Sequence, residues 1–109
     1  MKKPIHRHRR PVRRTRRARK VLFSLGRLLA TPGALDLLDR RAVDGVELLR
    51  RHQRGDWGDV SPEDAAANDF AVLHSLRIVS VYRLSAKEKV VVVTENDFSE
   101  TTILREEET

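Results

Sequence analysis

Apolar residues recur along this chain in two rhythms, and the switch between them predicts its elements. Val21, Leu22, Leu25, Leu28 and Leu29 fall on i, i+3, i+4 and i+7 spacings, so residues 15–30 read as a basic amphipathic helix. Thr31 and Pro32 then make a helix start: an N-cap hydroxyl followed by proline at the first helical position. Leu35, Leu37 and Leu38 supply that helix's apolar side, and it ends near Arg41. Asp44 opens a second helix, with Glu47 placed to reach back in a capping-box variant and with Leu48 and Leu49 facing inward. Arg50, Arg51 and Arg54 complement its negative end, and Gly55 stands just past it. Ser61, Pro62, Glu63 and Asp64 start a third helix that runs to about residues 75–77, with Ala66, Phe70 and Leu73 on one stripe.

Beyond residue 77 the composition turns to β-branched residues. Residues 77–84 and 101–104 read as strands, and 89–94 is a continuous valine run of the kind a central strand carries. The links 85–88 and 95–100 are short and polar, which favours antiparallel hairpins over crossovers. The expected fold is therefore α+β: an N-terminal basic arm, then three helices followed by a three-stranded antiparallel β-meander. Residues 1–30 are expected to form the arm, flexible or partly helical, and residues 31–109 a single α+β domain. There is no internal repeat.

Charge changes this picture most. Residues 1–20 hold 11 of the 22 Lys and Arg and no acid, whereas the remaining 89 hold 11 bases and all 16 acids. The overall +6 thus hides an arm at +11 and a body at −5. Such an arm calls for a polyanion or an acidic surface, with a nucleic acid or nucleoprotein complex as the expected partner. Arg7, Arg9, Arg10, Arg13, Arg14, Arg16, Arg17, Arg19 and Lys20 are the candidate phosphate contacts, because a guanidinium fork matches phosphate oxygens. Pro4 and Pro11 discourage helix there, and the absence of aromatics from the arm argues against base stacking by it.

Localisation follows from smaller signs. The chain has no Cys, which rules out disulfides and thiolate metal sites and is compatible with a reducing cytoplasm. No segment approaches the ~20 apolar residues of a membrane span, so a membrane partner is not expected. The apolar stretch 21–30 resembles a signal-peptide core, but Arg27 interrupts it and no small-x-small cleavage site follows. Arg16 and Arg17 faintly resemble a twin-arginine signal, with Arg19 and Lys20 standing where apolar residues belong. An Arg-rich, acid-free leader also resembles an organelle transit peptide.

Candidate chemistry is sparse. His52, partly inward on its helix, is either a general acid or base oriented by Asp56 or Asp59, or a histidine that closes a helix end. Trp57, between Gly55 and Gly58, is either an exposed platform or a core plug. His52, Gln53, Asp56 and Trp57 together make a candidate partner surface. Phosphodiester cleavage needs a base, an acid and cations, for which His52 or His74, Glu95, Arg77 and Arg83 are available. Arg77 and Arg83, six apart, share a face of a regular strand. Helices before an antiparallel sheet, with these residues, resemble small ribonucleases of the barnase and RelE kinds, which makes a ribonuclease toxin the alternative function. No motif expects a metal or any cofactor: His6 and His8 lie in a cationic arm, and HExxH, Gly-rich phosphate loops and nucleophile elbows are missing.

One stretch carries a family resemblance. His52, Gln53, Arg54, Gly55, Asp56, Trp57 and Gly58 form an HQxGDWG motif that resembles small bacterial proteins labelled "plasmid-related", carried on plasmids and integrated elements. The resemblance continues through Glu63, Asp64, Asn68, Arg77, Ser80, Tyr82, Thr94 and Glu95 to Asp97, Ser99, Thr101 and Thr102. It covers about residues 34–107 and leaves out the arm. This chain departs from the pattern at Leu76, where the family has Gly, at Phe98, where it has Arg, and at Arg105, where it has Pro. The resemblance implies an accessory protein of a mobile element, one version being an inhibitor of host defence, and it brings no established activity. The expected function is accordingly non-enzymatic.

Overall fold

The computed structural model describes residues 20–109. Strand β1 (Arg27–Ala30) is followed by helices α1 (Pro32–Arg40), α2 (Gly45–Gln53) and α3 (Pro62–His74), then by strands β2 (Ile78–Arg83), β3 (Lys89–Thr94) and β4 (Glu100–Arg105). The class is α+β, as expected, but the sheet is not a three-stranded meander. It has four strands in the order β1-β4-β3-β2. β2 with β3 and β3 with β4 are the antiparallel hairpins the short links predicted, and the valine run is interior. β1 adds to β4 in parallel, from Arg27 opposite Glu100 to Ala30 opposite Ile103.

The helix expected over 15–30 falls partly outside the described residues, and the part within them is not helical. Phe23 is buried, Leu25 is half-buried, and Arg27–Ala30 is a strand. Of the five residues that set the helical spacing, Val21, Leu22, Leu28 and Leu29 are exposed, and Phe23 and Leu25 face in at period two instead. The bend at Gly26 decides the matter. Its φ is +66°, and a Cβ there would lie 2.3 Å from the Ser99 carbonyl oxygen, so only glycine lets this segment approach β4 so closely. The packed globule therefore takes in residues N-terminal to Thr31.

Helix caps follow the sequence closely. Thr31 accepts from the Ala34 N–H at 3.0 Å and Ser61 from the Asp64 N–H at 3.0 Å. Asp44 caps α2 by accepting from Val46 N–H, but the reciprocal half of the capping box is absent, because Glu47 turns to Arg50 instead. One cluster packs Leu37, Leu38 and Leu48 on Tyr82, Val90, Val92 and Ile103; a second joins Phe23, Trp57, Ala71 and Ile78. The stripe Ala66, Phe70 and Leu73 faces solvent, with Leu73 79% exposed. α3 instead turns Asn68 and Ala71 inward, because Asn68 bonds the edge of the sheet and Ala71 leaves room against Trp57 and Ile78.

Candidate functional site

The HQxGDWG segment begins inside α2 and ends at the edge of β2. Leu48 and His52, four apart, share the inward face of α2, so the His52 ring enters the interior, where it is 0% exposed. Its Nδ1 lies 2.6 Å from Ser80 Oγ and its Nε2 2.8 Å from Thr94 Oγ1. Thr94 Oγ1 lies 2.7 Å from Thr101 Oγ1, which donates to the Leu25 carbonyl at 2.7 Å. Each hydroxyl has one proton, and that fixes the direction of the chain. Thr101 spends its proton on Leu25, so Thr94 donates to Thr101 and Nε2–H donates to Thr94. Nδ1 then accepts from Ser80. Burial pushes the ring's pKa down to about 4, so at neutral pH it is uncharged and carries its proton on Nε2. Phe23 and Trp57 meet it edge-on, with ring centroids 5.2 and 6.0 Å away.

The rest of the segment is equally committed. The Gln53 side-chain amide donates to the Phe23 carbonyl at 2.9 Å, and the Leu22 N–H donates to the Gln53 carbonyl at 2.9 Å. Asp56 takes both Nε and Nη2 of Arg51, at 2.7 and 3.3 Å, and its carbonyl accepts from the Tyr82 hydroxyl at 2.7 Å. Burial raises the Tyr82 pKa above the ordinary phenol value. Trp57 is the core plug rather than the platform; it is buried and donates Nε1–H to Asp69 at 3.1 Å. Gly58 has φ +79°, and a Cβ on it would stand 2.0 Å from the Val81 carbonyl oxygen. The turn runs along β2, where Val81 N–H donates to the Trp57 carbonyl and Asp59 N–H to the Val81 carbonyl.

Of the candidate partner surface, His52 and Trp57 are therefore interior, while Gln53 and Asp56 are half-buried and already bonded within the fold. Five polar residues among those described are buried: His52, Asn68, Ser80, Thr94 and Thr101. His52, Ser80, Thr94 and Thr101 form one internal hydrogen-bond network, and Asn68 bonds the Val79 backbone apart from it. The sequence pointed to its members but not to their use, because the hydroxyls at 80, 94 and 101 meet only when three strands align.

The four residues available for phosphodiester cleavage do not converge. His52 is enclosed. Arg77 and Glu95 pair at 3.5 Å at one end of the sheet. Arg83 ends β2 at the other, about 20 Å away by strand rise, bound to Asp59 at 2.9 Å. Lys89 and Arg83 hold the Asp59 carboxyl below its ordinary range. His74 is exposed at the end of α3, its ring 4.0 Å from that of Phe70. Phe98 packs on Phe23, with ring centroids 5.3 Å apart. No group of three or more His, Asp or Glu side chains among the described residues is placed to hold a metal ion, and no helix among them is long and apolar enough to cross a membrane. Of the nine arm candidates, Arg7 to Arg19 lie outside the described residues; Lys20 is within them and exposed.

One concavity was not anticipated. A cleft of about 860 Å³ opens between the outer face of α2 and the segment from Gly55 to Ala65, lined by Arg50, Arg51, Arg54, Trp57, Val60 and Pro62 among others. The signal for it in the sequence was the arginine triplet itself, which reads equally well as a complement to the helix dipole. In comparisons with protein-family models, with curated proteins and with solved structures, nothing matches this chain.

Proposed function

We propose that this chain is a non-enzymatic accessory protein of a mobile genetic element that works in the cytoplasm and binds nucleic acid, or a nucleoprotein complex, through its basic arm. The observation that carries this reading is the charge partition. Residues 1–20 have 11 bases and no acid. Among the described residues after Lys20, at least nine of the 11 bases stand within ion-pair distance of a carboxylate of the same body. The body neutralises its own cations, so the arm's charge is the surplus left for an external polyanion. The mobile-element setting, and the narrower version in which the target is host defence machinery, rest on the family resemblance alone. The scatter of His52, Glu95, Arg77 and Arg83 favours binding over cleavage.

The test is a fluorescence-anisotropy titration of labelled DNA and RNA across a range of salt. The log of the association constant is expected to fall by about 0.9 per phosphate engaged on duplex DNA. A full-length variant with Arg7, Arg9, Arg10, Arg13, Arg14, Arg16, Arg17, Arg19 and Lys20 all changed to Gln is expected to lose most of that slope and keep its fold. An unchanged slope removes the arm from the mechanism. Fragments released from labelled RNA by the parent, and not by Glu95→Ala, would establish the ribonuclease instead.

A further inference from the structure

We infer that the α2 cleft is a second nucleic-acid contact, which takes an unstacked base of a single strand whose backbone comes off the arm. The inference rests on the arm's proposed role and adds a site to it.

Three observations converge on the cleft. Its volume, about 860 Å³, falls in the range of roughly 300–1,000 Å³ typical of small-ligand sites and has room for a nucleotide. Its walls differ in character. Arg50 on α2 and Arg54 at its C-cap stand on one side, and Val60, Pro62 and Ala65, with the edge of the buried Trp57 beneath them, make an apolar surface opposite. The third observation is the path of the chain. Leu22 N–H is tied to the Gln53 carbonyl, and a Leu22 methyl sits 2.9 Å from where a Cβ on Gly55 would be. Lys20, the last base of the arm, comes only two residues before Leu22, so the arm leaves the globule beside Arg54 and Gly55, both of which line the cleft. Lys20 thus puts one base of the arm within two residues of a segment tied to the cleft wall.

The acids around the site set its orientation. Arg51 is held by Asp56 and lies 4.5 Å over the Tyr82 ring, so it is wall rather than ligand. Glu47 pairs with Arg50 at 3.2 Å, but both side chains are more than 60% exposed, and so open a pair yields readily to a phosphate. The N-terminus of α3 does not offer a second phosphate site. Pro62 lacks an N–H, Ser61 already accepts from Asp64 N–H, and Glu63 and Asp64 place negative charge in that turn. Phosphates therefore belong on the α2 side and the base on the apolar side. A base paired within a duplex cannot enter such a cleft, so the site selects single strands.

The test uses the full chain and an oligothymidylate of about 12 nucleotides, a length within the usual single-strand site sizes, with one 4-thiothymidine for photocrosslinking. Crosslinks are expected in residues 54–65, mapped by mass spectrometry on the unaltered protein. The double variant Arg50→Gln, Arg54→Gln is expected to lose about 1.4 from the single-strand salt slope, at ~0.7 for each of two phosphates, while duplex binding is unchanged. Crosslinks confined to the arm, or an unchanged single-strand slope in the variant, overturn the cleft and leave the arm's role standing. Competition by an acidic peptide as effective as an oligonucleotide of equal charge also overturns it. If the parent binds neither strand nor duplex, the functional reading itself has failed.

Discussion

The two edges of the sheet meet the same physical problem in different ways. An edge strand presents unpaired N–H and C=O groups that invite another strand. Along β2 every outward group from Val79 to Val81 is taken. The Asn68 side chain donates to the Val79 carbonyl at 2.8 Å and accepts from its N–H at 3.1 Å, as a neighbouring peptide would. Trp57 and Asp59 engage Val81 in the same way, at 3.0 and 2.7 Å. β1, at the other side, has no such cover among the described residues. Arg27 donates to the Ser99 carbonyl just before β4 and Thr31 to the Ile103 carbonyl within it, so by alternation the backbone groups of Leu28 and Ala30 face outward. Its protection is brevity, at four residues, and the charged Arg27, which pairs with Glu100 at 3.2 Å. The difference shows what the HQxGDWG segment is for. Its glycines and tryptophan seal an edge, and its histidine anchors that edge to β3, β4 and the segment leading into β1.

Breaking the sealed edge should have the largest effect. Gly58→Ala puts a Cβ 2.0 Å from the Val81 carbonyl and strains a positive φ, so a loss of about 4 kcal/mol in unfolding free energy is expected by urea denaturation. The anchor can be released by acid. His52 titrates at about 4 in the fold against an ordinary 6.5, so the unfolded chain takes up its proton first as pH falls. Stability is then full above pH 6.5 and declines down to about pH 4, by about 3 kcal/mol in all. In His52→Gln, which carries no titrating ring, this part of the pH profile should be flat, and a flat profile in the parent would contradict the buried neutral tautomer. At the β1 edge the effect should be smallest. Leu28 is 55% exposed, so Leu28→Lys should shift the urea midpoint by the equivalent of less than about 0.5 kcal/mol. A loss there comparable to that of Gly58→Ala would erase the distinction between the edges.

Much of this molecule is local and was legible as such. Thr31, Ser61 and Pro62 start helices because a capping hydroxyl or a fixed φ acts within one turn, and the run Val90–Val93 is central because both faces of β3 are covered. The charge partition is also a property of the chain alone, independent of any fold. Three things depended on the tertiary structure. The segment with Phe23 and Leu25 reads as helix along the chain, and the edge of β4, distant in sequence, made it extended. The side of α3 that faces in was decided by Asn68 finding the edge of β2, against the apolar stripe of Phe70 and Leu73. The role of His52 was decided by the hydroxyls of Ser80 and Thr94, which come from strands 28 and 42 residues away. Caps, propensities and net charge are set by near neighbours and can be read along the chain. Pairing, burial and tautomer are set by contacts between distant segments, which exist only once the sheet has closed over the helices.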